Sequence, residues 1–87
     1  MVGPRRTDYS RSLPRPLVIP GLMTVRTLAD LREFLRHLPA EKKRKAAWQK
    51  ITALVDDAAD GGAATADVAM ALELVLTLEK VPFQQKQ

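Results

Sequence analysis

Leu28, Leu31, Leu35 and Leu38 recur at intervals of three, four and three residues. Together with Phe34 they cover roughly 120° of a helical projection, while Arg32, Glu33 and Arg36 fall outside that face. The spacing predicts a first helix over residues 28–38. Thr27 suits its N-cap, and Asp30 three residues on makes an approximate capping box. Pro39 ends this helix and can open a second one, predicted over 40–60 with Gly61 as its stop. Ala47, Trp48, Ile51, Leu54, Val55, Ala58 and Ala59 fall within roughly 140° of that helix. After the turn "GGAAT" a third helix is predicted over 66–81, capped by Thr65 and halted by Pro82.

The third predicted helix differs from the others. Its apolar positions spread over about 240°, and Glu73, Thr77 and Lys80 form its polar strip. A helix of this kind must be covered from more than one side. Two neighbouring helices nearly suffice, and a second copy of the chain would complete the cover. Met70, Leu74, Leu78 and Val81 are the expected self-association residues.

Residues 1–21 lack the helical pattern. Pro4, Pro14, Pro16 and Pro20 each remove an amide donor and bias the preceding residue away from helix. An extended, polyproline-like path is expected for 13–20. Leu17, Val18 and Ile19 are expected to lie against the domain or a partner, and residues 1–12 to be disordered. No alternating run argues for a strand. The expected fold is therefore all-α. A small three-helix bundle over 22–82 follows an extended, Pro/Arg-rich arm over 1–21 and precedes a disordered tail over 83–87.

Composition narrows the function classes. The chain has 87 residues, enough for one small domain, and its apolar fraction of 46% is ordinary for a globular protein. It has no cysteine, which excludes disulfides, thiolate metal sites and cysteine nucleophiles. The run "VAMALELVLTL" is far shorter than the ~20 residues of a membrane span, and Glu73 interrupts it. No apolar stretch follows Arg5 and Arg6 as a secretory signal requires. A cytoplasmic protein is expected.

The net charge of +4 is unevenly distributed. Arg5, Arg6, Arg11 and Arg15 against Asp8 give the arm most of the excess, so the rest of the chain is nearly neutral. Within the second predicted helix, Lys42, Lys43, Arg44 and Lys45 crowd the positive end of the dipole. Asp56, Asp57 and Asp60 crowd the negative end. Two readings of the basic run compete. It is the solvated face of an amphipathic helix, or it meets an anion, either phosphate or the acidic end of a second copy paired antiparallel. The phosphate reading assigns Arg5, Arg6, Arg11, Arg15, Lys42, Lys43 and Lys45 to weak, sequence-nonspecific nucleic-acid binding. Against it, the third helix is too aliphatic for a recognition helix, and Trp48 sits in the apolar stripe of its own helix rather than on a stacking platform.

Catalytic chemistry finds little material. His37 is the single histidine, placed four residues after Glu33 as a surface pair. No set of three or four metal ligands is present, and no glycine loop cradles phosphate. Glu79 projects into the apolar arc of the third helix and is expected to pair with Arg32, Arg36 or Arg44, or to reach solvent. No enzyme activity, cofactor or metal is expected. The expected function is a small protein-interaction or regulatory module that self-associates through its third helix. The alternative is a weak nucleic-acid-binding accessory protein, and a membrane-surface contact through the arm is a third reading.

Overall fold

The computed structural model describes residues 7–85, and it overturns the all-α bundle. The segment expected to be a polyproline-like arm is a strand, β1, Ser12–Ile19. The chain then reverses into β2, Met23–Thr27, and the two pair antiparallel with Ile19 opposite Met23 and Leu17 opposite Val25. Pro20 and Gly21 make the reversal. Proline presets the second turn position, Gly21 takes φ 79° at the third, and the Leu22 N–H donates to the Ile19 carbonyl at 3.0 Å.

The prolines that argue against a strand sit where the ladder needs no donor. Pairing with β2 is irregular between Ser12 and Leu17, and Pro14 and Pro16 both lie inside that interval. Leu13, Leu17 and Ile19 are buried from this strand and Val25 from its partner. Past the helices, Gln84–Gln85 forms β3 and pairs antiparallel with Leu17 and Val18, so part of the expected tail is sheet. The strand order is β2-β1-β3, and the fold is mixed α and β.

Four helices fill the remainder: α1 Leu28–Arg36, α2 Ala40–Lys43, α3 Ala46–Ala59 and α4 Thr65–Leu78. The capping box at α1 is closed. Thr27 Oγ1 accepts from the Asp30 N–H at 3.2 Å, and Asp30 accepts from the Thr27 N–H at 3.3 Å. Two further free amides of that first turn, those of Leu28 and Ala29, donate to the carbonyls of Arg11 and Tyr9. Residues 7–11 are thus tied down, as the Asp8 N–H also donates to the Ala59 carbonyl. Residues 1–6 of the expected disordered segment, with Arg5 and Arg6, lie outside the described residues, as do 86–87.

The helix expected over 40–60 is divided at Arg44–Lys45, where Lys45 is extended at φ −68°, ψ 136°. Division changes the dipole problem. Lys42 and Lys43 now occupy the last turn of α2, the end that favours cations, instead of the first turns of a long helix.

α1 adjoins β2, α4 adjoins β1, and α3 packs across both α1 and α4. The core is a single cluster that includes Trp48, Leu28, Leu31, Ile51, Leu72 and Leu76, and among the described residues no polar or charged residue is buried. Trp48 lies against Phe34 with ring centroids 5.9 Å apart.

Candidate functional site

α4 packs against β1 on one side and α3 on another, which covers Val68, Leu72, Val75 and Leu76. A helix apolar on two adjacent sides would be finished by that. This one also carries Met70, Leu74 and Leu78 on its outer side, exposed at 70%, 61% and 68%. With the preceding Asp67 they recur at three, four and four residues, which is one stripe along a helix. The stripe borders a groove between α3 and α4 whose α3 wall includes Ala47, Lys50 and Leu54. Val81, the fourth expected member, is elsewhere. It is half-buried against the core and lines a different recess with Leu22 and Phe34.

The end of α4 explains that displacement. Lys80 adopts φ 58°, the Lys80 N–H donates to the Thr77 carbonyl, and the Val81 N–H donates back to the Leu76 carbonyl at 2.8 Å. This pattern closes a helix through a left-handed residue. It turns Val81 inward and leaves Lys80 exposed just past the helix.

Among the described residues, the basic side chains Arg11, Arg15, Lys42, Lys43 and Lys45 are not gathered into one surface, and Arg5 and Arg6 lie outside those residues. Arg11 lies beside Gly61, just past the C-terminal end of α3. Lys45 is the N-cap at its other end. Fourteen residues of helix separate them, roughly 20 Å at the helical rise. Arg15 meets Gln85 Oε1 at 3.5 Å, near Met70 and Glu73. Of the run itself, Lys42 and Lys45 are turned onto Glu79, and Lys43 is exposed without a partner among the described residues.

The Glu79 carboxylate is held by two lysines. Its Oε1 accepts from Lys42 Nζ at 3.0 Å and Lys45 Nζ at 3.1 Å, and its Oε2 accepts from Lys45 at 3.1 Å. Lys42 first, then Lys45, holds the carboxyl at about 2, below its usual 4.5, while partial burial works weakly the other way. The arginines expected as its partners do not reach it. His37 pairs with Glu33 at 3.6 Å, and its Nδ1 lies 2.9 Å from the Glu33 carbonyl.

Tyr9 joins three elements and was not singled out from sequence. Its hydroxyl donates to Asp56 at 2.8 Å, and its ring lies under the Arg32 guanidinium at 4.4 Å. The bond to Asp56, then burial, raises the phenol above its ordinary 10.0. A second recess, about 480 Å³, lies between the hairpin tip, α1 and Trp48, with Lys42 and His37 among its polar residues. The Trp48 indole N–H is buried and has no partner among the described residues.

Among the described residues no three His, Asp or Glu side chains gather to hold a metal ion, and no helix is long and apolar enough to cross a membrane. No family model, no curated protein and no solved structure matches this chain.

Proposed function

We propose that this is a non-enzymatic protein-interaction module that self-associates through the outer face of α4, and that it works in the cytoplasm. The observation that carries the reading is the stripe of Met70, Leu74 and Leu78, three large apolar side chains exposed together on one helix. Single exposed apolar residues are ordinary, whereas a contiguous row beside an apolar groove marks an interaction surface. The core supports the same reading, because it is closed without these residues and gives them no structural task.

Sedimentation at 5 to 200 μM tests it. The natural chain is expected to move from monomer toward dimer with concentration, and Leu74→Glu is expected to stay monomeric with unchanged helical circular dichroism. A natural chain that remains strictly monomeric at high micromolar concentration overturns the reading.

A further inference from the structure

The face around the stripe carries charge as well as apolar surface, and the charge is sorted by end. α3 and α4 are neighbouring helices joined by the short turn 60–64, so they run antiparallel. Asp57 and Asp67 lie toward the turn end of this pair. Lys50, in the first half of α3, lies toward the opposite end beside the groove. None of these three side chains has a partner among the described residues. Elsewhere the acids of the helices are largely engaged: Asp30 caps α1, Asp56 holds Tyr9, Asp60 holds Thr7, and Glu79 holds two lysines.

Resting on the self-association reading, we infer that two copies pack face to face about a two-fold axis that crosses α3 near Leu54 and α4 near Leu74, each helix antiparallel to its own counterpart. The residue numbers carry the symmetry. Lys50 and Asp57 are equidistant from a point on α3 between residues 53 and 54. Reversing one copy end for end therefore sets Lys50 opposite Asp57 of the second copy. The same operation sets Leu74 against Leu74 and Met70 against Leu78. An axis along the helices instead brings acid end to acid end, with Asp57 and Asp67 of both copies together, and like charges at an interface are strongly unfavourable. A closed two-fold contact of this kind is self-complementary and does not propagate into filaments.

The chain has no cysteine, so single thiols can report the geometry. Under mild oxidation Leu74→Cys is expected to link to itself efficiently. Met70→Cys and Leu78→Cys are each expected to link poorly alone and well when mixed. Lys50→Asp is expected to weaken the dimer about tenfold, since it faces Asp57 from both copies. Adding Asp57→Lys to the same chain is expected to restore it, and circular dichroism controls for folding. A dimer in which positions 70, 74 and 78 each link equally to themselves, or in which the double exchange fails to restore affinity, overturns the axis and leaves self-association standing. A natural chain with no dimer at all removes both.

Discussion

Glu79 shows how much one residue's neighbours decide. Because Lys42 and Lys45 hold its carboxyl at about 2 when folded against the usual 4.5, the pairs stabilise the fold above about pH 4.5. That contribution fades as pH falls through about 2, where the folded form also takes up its proton. Urea denaturation of the natural chain and of Glu79→Gln is expected to differ most at pH 6 and to converge near pH 2. Lys80 makes the opposite case, a residue held against its own preference. It has φ 58°, where a side chain costs about 1–2 kcal/mol and glycine is at ease. Lys80→Gly is expected to stabilise the monomeric Leu74→Glu background by up to about 1 kcal/mol, read as a rise in its urea midpoint. Of these features the sequence discloses Glu79 as an odd carboxylate in an apolar arc. Its partners stay hidden, because they depend on a helix break at Arg44–Lys45 that has neither proline nor glycine to mark it. The His37–Glu33 pair is readable, since a separation of four on a helix needs no tertiary information.

At the level of elements, local chemistry and local structure agree in α1 and disagree in β1. The leucine row and the Thr27–Asp30 box both act within one helix, and both are visible in the letters. The strand is masked by two prolines, Pro14 and Pro16, and by Arg15, which breaks the row Leu13, Leu17, Ile19. Its rescue is tertiary: the prolines fall in an irregular stretch of ladder, and burial against α4 outweighs their local bias. The turn itself is legible, as Pro20-Gly21 separates "LVI" from "MTVRT", two runs rich in β-branched residues. Ile19 is 1% exposed, so Ile19→Ala is expected to destabilise the fold by about 2–5 kcal/mol, the range of a core truncation. Chemical denaturation measures it. A loose arm over this segment would show almost no change.

For the molecule as a whole, the hairpin alters the argument for self-association. A bundle of three helices alone would be marginal at this size and would need a second copy for stability. The strands add Leu13, Leu17, Ile19 and Val25 to the core and remove that need. Association then rests on the outer α4 surface and is separable from folding. The urea midpoint of the natural chain is expected to rise with protein concentration, and that of Leu74→Glu to be independent of it. An unfolded Leu74→Glu would instead make the monomer incomplete on its own. The wide apolar arc is visible in the sequence, but which part of it faces outward is settled by where β1 and α3 lie. For that reason Val81 leaves the expected set while Met70, Leu74 and Leu78 remain exposed.

The position of β1 between its two partners sets an order of assembly. β2 follows it after a three-residue turn, while β3 reaches it only from residues 84 and 85. The first pairing closes a short loop and forms early; the second waits until all four helical segments have been made. Throughout that interval the edge of the central strand around Leu17 and Val18 is without its partner strand. An open strand edge is a template for any other extended chain. During synthesis this protein therefore passes through a stage in which its exposure to misassociation lies in the backbone of β1, and two glutamines placed some 65 residues downstream bring that stage to an end.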